Sequence, residues 1–596
     1  MILFIVCLLF AVSISRTLYI QLVRGVDSKI VEKRLVVGER GVIYDRNGKK
    51  IAYNVEMSDI FLDDANSANK YEVALFMERN FGLNIDSTTS LIDNNSGYLV
   101  LLENVIQNKI KNIEHEINQV SNMNITPLRN KRYYPQNNLA SQLIGCFRQG
   151  VEGWGIESEM DEVLSAKKDS LDFFVLSNGR RIPAYSSKEY KALSGGDVFL
   201  TIDFDYQKIL SEELLKQLER TNSEYANGII VDPYSGEILA MATLPNADLN
   251  KSLKNQELTR DRTTYDSKEP GSTIKPFSIL AGIDNNIISL YDKEYCEGQV
   301  EDGDEAKYFI PSIKRAITDH EGKDTLTVGG VLAYSSNIGT AKLAMKIKSN
   351  LIYNTLRKFG FGHKTGIDFY NEDEGYLKSL SEWDKHSLIS ISIGQEMRAN
   401  NLQLAMAYSA IANGGYLVEP KLIRDISGNN NYKIKNSPVI IREVAKKESI
   451  SDIVKALKLV MNEGTGQDYK EDYCIYGKTG TAEVFVQAED FIDCNRQKDI
   501  CANDDNWEKW MGNDRWDDGE EFIDTNKNKK WDKAGYSTST YMPSFAGVFP
   551  CEDPQLVCIV SFFGPNKEDR WGGATAIPVV QNIFKRLKLR DKELIL

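Results

Sequence analysis

The chain is poor in histidine, with only four among 596 residues, and none lies in a catalytic motif. A Ser-His-Asp triad is therefore not expected, and a serine nucleophile would need lysine as its base. The eight cysteines form no CxxC pair, so they give no sign of a zinc site. The formal net charge of −13 argues against nucleic acid as a partner, because phosphate binding requires a basic surface.

Length and hydropathy predict the order of domains. A chain of 596 residues is expected to hold more than one domain. Residues 1–22 are mostly apolar and can just span a bilayer, so we predict an uncleaved transmembrane anchor, with a cleaved secretion signal as the alternative. Residues 23–192 carry no catalytic spacing and predict a non-catalytic pedestal. Residues 193–596 interleave strand and helix patterns, which predicts an α+β domain with antiparallel strands.

Local patterns in the pedestal predict a few of its elements. Asn47-Gly48 follows an apolar stretch and is a strong hairpin-turn signal. Residues 72–81 and 101–117 have patterns that favour helices.

The cysteines leave the cellular compartment open. Cys494 and Cys501, and likewise Cys551 and Cys558, are close enough in sequence for small loop disulfides outside the cytoplasm. Buried free thiols are the alternative for all four.

One stretch carries the pattern of a nucleophile beside a base. A Pro-Gly pair interrupts the preceding structure, and Ser272 then opens an apolar run that predicts a buried helix. Residues three apart share a helix face, so Lys275 is expected beside Ser272. The spacing alone is weak evidence, because Ser165 and Lys168 repeat it in a polar stretch. A capped helix with a surface lysine is the alternative for either pair.

Two further polar motifs occur in the same region. Ser335-Ser336-Asn337 separates two apolar helical runs and, by itself, would be explained as a capped interhelical turn. Lys478-Thr479-Gly480-Thr481 lies in a strand-like stretch, for which an edge strand with a surface lysine is the alternative. It is not a phosphate-binding loop, because Asp472 stands where that loop requires glycine.

The motifs Ser-x-x-Lys, Ser-x-Asn and Lys-Thr-Gly occur here in the order found in penicillin-binding proteins. The chain resembles the class B high-molecular-mass members, the peptidoglycan D,D-transpeptidases, along nearly its whole length. Arg40-Gly41 and Gly155-Ile156-Glu157 resemble segments of that family's N-terminal region. The surroundings of Ser272 and Ser335 look more like the cell-division and sporulation branch than the elongation branch. Ile393-Gly394-Gln395-Glu396 departs from the usual Gly-Gln-Gly.

The resemblance implies a fold and a role for the nucleophile region. The fold would be an α+β transpeptidase domain, an antiparallel sheet with helices on both faces, preceded by a dimerisation-type pedestal and one transmembrane helix. Ser272 would attack the penultimate D-alanine carbonyl of a peptidoglycan stem peptide, and Lys275 would take its proton. Ser335 and Asn337 would relay that proton to the leaving amine and hold the peptide. An amine from a second stem would complete the cross-link, and β-lactams would acylate the same serine.

The Lys-Thr-Gly strand would bind the substrate. By resemblance, Lys478, Thr479 and Thr481 would receive the terminal carboxylate, with Gly480 between them, and the backbone N–H groups of Ser272 and Thr481 would form the oxyanion hole. For Lys275 to act as a base, its pKa must fall from about 10.4 to about 7–8, which burial beside a second cation would achieve. No metal or organic cofactor is required.

The same resemblance implies the setting of the reaction. The expected partners are a membrane-embedded glycosyltransferase of the division machinery and the membrane itself, with no nucleic acid. The expected location is the cell (inner) membrane, crossed once, with the catalytic domain on the extracytoplasmic side. A β-lactam sensor would share the acylation step, and a D,D-carboxypeptidase or β-lactamase would share the fold, so these are the alternative functions.

One segment departs from the family pattern. Residues 483–543 form an acidic, tryptophan-rich insertion between the Lys-Thr-Gly strand and its expected return strand. Within it, oxygen side chains occupy positions 1, 3, 5 and 9 of a calcium-type loop, namely Asp524, Asn526, Asn528 and Asp532. The loop's usual glycine and final glutamate are missing. A solvated acidic loop is therefore the alternative to a structural calcium site.

Overall fold

The computed structural model describes residues 10–16, 31–120, 122–148, 151–175, 181–191, 193–253, 255–298, 306–311, 313–368, 370–427, 437–471, 473–486 and 535–591. Two compact units divide the chain. The N-terminal unit comprises Met1–Asn137, Cys146–Leu200 and Arg424–Ile434. The C-terminal unit comprises Asn138–Gly145, Thr201–Ile423 and Lys435–Leu596.

The helices and strands are numbered in chain order. The strands are β1 (Val31–Val37), β2 (Ile43–Tyr44), β3 (Lys50–Leu62), β4 (Leu99–Ile106), β5 (Met123–Ile125), β6 (Arg129–Tyr133), β7 (Cys146–Arg148), β8 (Val151–Trp154), β9 (Lys168–Val175), β10 (Arg181–Pro183), β11 (Val198–Leu200), β12 (Tyr225–Val231), β13 (Ile238–Leu244), β14 (Lys293–Cys296), β15 (Ala306–Ile310), β16 (Arg315–Asp319), β17 (Lys323–Thr327), β18 (Tyr376–Leu377), β19 (Met397–Arg398), β20 (Tyr416–Val418), β21 (Ile423–Ile426), β22 (Ile440–Glu443), β23 (Tyr476–Val486), β24 (Gly535–Phe549) and β25 (Leu556–Phe563). The α-helices are α1 (Lys70–Phe81), α2 (Ile85–Asp93), α3 (Gln107–Ile117), α4 (Ser141–Ile144), α5 (Gly155–Glu159), α6 (Asp161–Leu164), α7 (Ser187–Lys191), α8 (Phe204–Thr221), α9 (Lys275–Asp284), α10 (Val328–Ala333), α11 (Asn337–Ile347), α12 (Ser349–Lys358), α13 (Ser387–Ser392), α14 (Asn401–Ala412), α15 (Lys447–Asn462), α16 (Gly572–Thr575) and α17 (Ile577–Arg590).

The N-terminal unit is built on a sheet in which β11, β2, β3 and β4 are neighbours, with β5 and β6 also pairing with β3. The hairpin predicted at Asn47-Gly48 joins β2 to β3, and Gly48 has a φ of 79°, which glycine adopts without strain. The helix expected over residues 101–117 is wrong in its first part. There β4 pairs with β3, and helix begins only at Gln107. A short apolar run fits either structure, and strand pairing decided the outcome.

Two arginines are buried in this unit around one glutamate. Arg40 Nε lies 2.8 Å from Glu157 Oε2, and Arg132 Nε lies 2.6 Å from Glu157 Oε1. Arg40 also donates to the Glu157 carbonyl oxygen, and Arg132 donates to the Gly41 carbonyl oxygen. Side-chain exposures of 7%, 4% and 0% for Arg40, Arg132 and Glu157 place this network in the interior. The family-like segments around Arg40 and Glu157 are therefore joined by a buried ion-pair network.

The C-terminal unit contains an antiparallel five-stranded sheet of order β13-β12-β25-β24-β23. Alternate side chains of a strand point to opposite faces. Cys558, Val560 and Phe562 of β25 belong to the core that includes residues of α8 and α17. Ser561, on the other face, donates to Asn401 of α14. This α+β arrangement, with helices on both faces of an antiparallel sheet, is the one the sequence predicts.

The cysteine pairing differs from the short loops that spacing allowed. Cys474 is bonded to Cys551, with Cα atoms 5.3 Å apart, and Cys558 is a buried free thiol. The predicted Cys551–Cys558 pairing is therefore wrong. Cys558 lies inside β25 opposite Gly547 of β24, whereas Cys551 lies in the β24–β25 turn and bonds to Cys474, two residues before β23. Cys494 and Cys501 lie outside the described residues.

The predicted N-terminal anchor lies mainly outside the described part of the chain. Residues 10–16 are helical, whereas residues 1–9 and 17–30 are not described. In the ranges that are described, no helix has both the length and the apolar character needed to cross a membrane.

Candidate active site

Ser272 lies on a tight turn that feeds directly into a buried helix. A 3-10 turn covers Gly271–Ile274, and α9 begins at Lys275 with a proline in its first turn. The Gly271 N–H donates to the Gly394 carbonyl oxygen at 3.1 Å, and the Tyr408 hydroxyl donates to the Thr273 carbonyl oxygen at 2.8 Å. The turn is thus held from both sides, while the Ser272 side chain is half-buried and makes no hydrogen bond to any described residue.

Lys275 is fully buried, and its amine faces the motif around Ser335. Nζ donates to the Ser335 carbonyl oxygen at 2.6 Å, to Asn337 Oδ1 at 2.7 Å and to Ser335 Oγ at 3.3 Å. It forms no ion pair with any described carboxylate. Burial lowers the pKa of Lys275 to about 7, although the negative charge of Asp319 acts in the opposite direction. A substantial fraction of the amine is therefore unprotonated at neutral pH.

The Ser-x-Asn motif occupies the turn between α10 and α11. Ser335 has a φ of 59°, a left-handed conformation that is unusual for a residue with a side chain. Asp319 accepts hydrogen bonds from the Ser336 hydroxyl and from the backbone N–H groups of Asn337 and Ile338. The Asn337 amide donates to the Thr318 carbonyl oxygen at 3.0 Å, which turns its Oδ1 toward Lys275.

Asp319 is the positioning residue that sequence reasoning missed. It is buried at the end of β16, about eighteen residues before the turn it organises. The residues next to Asp319 in sequence do not indicate this role, because the role depends on β16 lying beside the first turn of α11.

Lys478 is the second fully buried amine of the site. Its Nζ donates to Ser335 Oγ at 2.9 Å and to the Thr479 carbonyl oxygen at 3.1 Å. Burial and the neighbouring charge of Lys275 hold the pKa of Lys478 well below its usual range. The Ser335 hydroxyl therefore lies between two amines and can accept from one while passing a proton to the other.

The Lys-Thr-Gly strand runs directly beside the nucleophile turn. A Cβ on Gly480 would lie 2.4 Å from Ser544 Oγ and 3.0 Å from Thr273 Cγ2, so only glycine allows this approach. Thr479 Oγ1 lies 3.0 Å from Thr465 Oγ1, and the half-buried Thr481 accepts from the Gly572 N–H at 3.1 Å. The strand thus lies against the nucleophile turn, and its Lys478 side chain contacts Ser335.

The loop that contains Gly394 explains part of the departure from Gly-Gln-Gly. A Cβ on Gly394 would lie 2.0 Å from the Gly271 carbonyl oxygen, so this glycine is required by the packing against the nucleophile turn. Glu396 has a φ of 56°, the region in which glycine is favoured. Its backbone N–H donates to Glu269, and its carboxylate pairs with Lys378 at 2.8 Å. The backbone hydrogen bond to Glu269 and the side-chain ion pair with Lys378 therefore hold Glu396 in this left-handed backbone conformation.

The structure brings Lys275, Ser335, Asn337 and Lys478 into one hydrogen-bonded cluster, with Ser272 at the adjoining turn. The repeat of the spacing at Ser165 and Lys168 does not form such a site, because Ser165 ends α6 and its hydroxyl donates to Asp161. The calcium-loop residues, Asp524 to Asp532, lie outside the described residues, and that loop stays a prediction. Within the ranges described, no cluster of three or more His, Cys, Asp or Glu could hold a metal ion.

Comparison with known families agrees with this geometry. The penicillin binding protein transpeptidase domain matches residues 228–499, and the penicillin-binding protein dimerisation domain matches residues 35–152. The chain belongs to the class B penicillin-binding proteins. The resemblance of its three motifs to that family is thereby confirmed.

Curated relatives of this penicillin-binding protein extend along most of its length. It is 27% identical to the probable peptidoglycan D,D-transpeptidase PbpC of Pseudomonas aeruginosa, covering 91% of this chain and 85% of that protein. It is 24% identical to stage V sporulation protein D of Bacillus subtilis, covering 92% and 77%. It is 25% identical to the peptidoglycan D,D-transpeptidase FtsI of Buchnera aphidicola, covering 94% and 88%. These relatives confirm the division and sporulation branch.

Solved structures share the fold of this penicillin-binding protein. A peptidoglycan synthetase from Bifidobacterium adolescentis has a TM-score of 0.61 and 21% identity, covering 94% of this chain and 96% of that one. Penicillin binding protein 3 from Mycobacterium tuberculosis, complexed with ampicillin, has a TM-score of 0.62 and 20% identity, covering 94% and 96%.

Proposed function

We propose that this chain is a serine-type peptidoglycan D,D-transpeptidase that cross-links stem peptides during septal wall synthesis and is acylated by β-lactams. The observation that supports it most is the fully buried amine of Lys275, which donates to Ser335 and Asn337 without a carboxylate partner among the described residues. With its pKa near 7, this amine can accept a proton at physiological pH.

The placement of these groups supports the following reaction, whose steps the family resemblance implies. Ser272 Oγ attacks the penultimate D-alanine carbonyl as Lys275 takes its proton, and the N–H groups of Ser272 and Thr481 stabilise the oxyanion. The proton passes through the Ser335 hydroxyl, between Lys275 and Lys478, to the departing D-alanine amine. The amine of a second stem peptide then attacks the ester and loses a proton to Lys275, which passes it to Ser272 Oγ as the ester C–O bond breaks.

The proposal assigns the substrate's terminal carboxylate to β23. Lys478 and Thr479 are buried there, and Thr481 is half-buried with its hydroxyl held by Gly572. A cation beside hydroxyls suits a terminal carboxylate. The substrate-binding assignment of Thr479, Gly480 and Thr481 rests on this placement and on the family resemblance.

The wider setting is part of the same proposal. A single N-terminal anchor in the cell membrane would keep the catalytic unit on the extracytoplasmic side, beside a membrane-embedded glycosyltransferase of the division machinery. The disulfide between Cys474 and Cys551 supports an oxidising location. The residues around the site supply the whole acyl transfer by acid–base chemistry, so the proposal requires no cofactor.

Labelling with a fluorescent penicillin, followed by mapping of the modified peptide, tests the proposal. The label should map to Ser272, and Ser272→Ala should abolish labelling while changing Tm by only a few degrees, because a half-buried hydroxyl contributes little packing. Ser165→Ala, at the repeated spacing, should label normally. Undiminished labelling of Ser272→Ala would contradict the nucleophile assignment.

Product analysis separates the alternative functions. A transpeptidase converts stem-peptide donors and acceptors to cross-linked dimers. Release of only the free acid would instead identify a carboxypeptidase or β-lactamase, and a stable acyl-enzyme with no product from peptide would identify a sensor.

A further inference from the structure

The C-terminal unit has an open cavity of about 500 Å³ that none of the catalytic residues lines. Buried apolar side chains form much of its wall, namely Phe359, Met406, Leu417 and Val418. Ile441 adds an exposed apolar group at the rim. The volume falls in the range of small-molecule sites, about 300–1,000 Å³.

The mouth of this cavity is cationic in a chain that is strongly acidic overall. Lys364 and Arg442 are exposed at the rim, and Arg357 Nη2 lies 3.3 Å from His363 Nδ1. Glu374 is the acidic residue of the lining. Lys364, Arg357 and Arg442 form no ion pair with any residue that the structure describes. Burial and the charges of Arg357 and Arg442 lower the pKa of His363, as expected where positive charges converge.

Hydrogen bonds hold the rim in place. The Gln403 amide donates to the His363 carbonyl oxygen at 2.8 Å and to the Glu374 carbonyl oxygen at 2.9 Å. Arg357 donates to the Gly362 carbonyl oxygen at 3.0 Å. A binding surface that is already ordered loses less conformational entropy when a ligand binds.

We propose that this cavity binds a small amphipathic anion, with a carboxylate or phosphate head group at the cationic rim and a short apolar body against the apolar wall. Lys364 and Arg442 against Glu374 leave the lining with a local excess of positive charge, whereas the whole chain carries −13. An uncharged apolar ligand would leave those cations without a partner, and a bare inorganic anion would leave the apolar wall exposed to water.

Four matched probes test this proposal on the full-length protein by isothermal titration calorimetry. Hexyl phosphate and hexanoate carry both halves of the expected ligand and distinguish the two head groups. Hexan-1-ol lacks the charge, and inorganic phosphate lacks the apolar body. At least one of the two amphipathic anions should bind about tenfold or more tightly than either control. Equal binding of hexan-1-ol, or no binding by either anion, would overturn the proposal.

Variants locate the binding and keep it separate from catalysis. Arg442→Glu, on the exposed strand β22, should weaken binding of the anion about tenfold because it reverses a charge at the rim. Lys447→Glu, an equal charge change at an exposed residue outside the lining, should leave binding unchanged. Ser272→Ala should also bind normally, so this test does not depend on the proposed transpeptidase activity. Unchanged binding by Arg442→Glu would contradict the site.

Discussion

Among the described residues, the N-terminal unit buries the side chains of Arg40 and Arg132 beside a carboxylate, whereas the C-terminal unit buries the amines of Lys275 and Lys478 without one. Arg40 and Arg132 are both within 3 Å of the Glu157 carboxylate. Lys275 and Lys478, both 0% exposed, instead share the hydroxyl of Ser335 and have no described carboxylate within ion-pair distance. Both pairs of cationic side chains are therefore buried, but one pair contacts a carboxylate and the other contacts a neutral hydroxyl.

The difference shows how burial can serve stability in one place and chemistry in another. Removing a cation from water costs several kcal/mol, and a hydrogen-bonded carboxylate offsets that cost. Without one, the cation loses its proton more easily, as the lowered pKa of Lys275 and of Lys478 indicates. An arginine cannot lose its proton in this way. It therefore suits the buried ion-pair network but could not act as the catalytic base.

Replacing the base by a permanent cation should have the largest effect. Lys275→Arg keeps a positive side chain but cannot accept a proton, so the rate of penicillin acylation should fall about a thousand-fold. Stopped-flow or gel-based labelling measures this. The opposite exchange in the other pair, Arg132→Lys, should leave acylation within about twofold. Near-normal acylation by Lys275→Arg would show that the amine is not the base.

Removing the shared carboxylate should affect stability and not catalysis. Glu157→Gln leaves the buried guanidinium group of Arg132 without a counter-charge and that of Arg40 with only the half-exposed Asp161, so it should destabilise the N-terminal unit by about 3–5 kcal/mol. Urea unfolding measures the loss, and acylation per folded molecule should stay unchanged. Glu159→Gln, on the same helix but exposed, is the control and should cost less than about 0.5 kcal/mol. A neutral result for Glu157→Gln would mean that the arginines are stabilised by other groups.

Removing the charge of Asp319 should have a smaller effect, confined to the pH dependence of acylation. Asp319 raises the pKa of Lys275, so Asp319→Asn should lower that pKa and move the acylation pH profile to lower pH. The asparagine oxygen can still accept from Asn337, so the rate above pH 8 should stay within about threefold. A shift of the profile to higher pH would contradict the proposed electrostatic role.

The motifs were predictable from sequence because each has a local pattern. Ser272 and Lys275 lie within one helical turn, and Lys478 to Thr481 lie on one strand. Their spacing therefore predicted which of these side chains lie on the same face of the helix or strand. Strand β24 contains the expected return strand, but it begins at Gly535, within the segment 483–543 that the sequence assigned to the insertion. The return of β24 beside β23 is confirmed by the pairing of Gly480 with Ser544.

Features that depend on distant parts of the chain were not predictable. Asp319 and the bond between Cys474 and Cys551 each join segments whose meeting depends on the tertiary fold. The strand β4 was mistaken for helix because its pairing with β3 is not visible in its own residues. The cavity beside Phe359 combines side chains from three separate stretches, 359–374, 403–418 and 441–442, and no single stretch indicates it.

The pH dependence of penicillin acylation tests the central claim most directly. Lys275 accepts the serine proton only when it is neutral, so the rate should rise as pH increases through the pKa of the buried amine and then reach a plateau. We predict a half-maximal rate near pH 7, the pKa to which burial lowers Lys275. A rate that continues to rise toward pH 10, the ordinary range of lysine, would contradict the account.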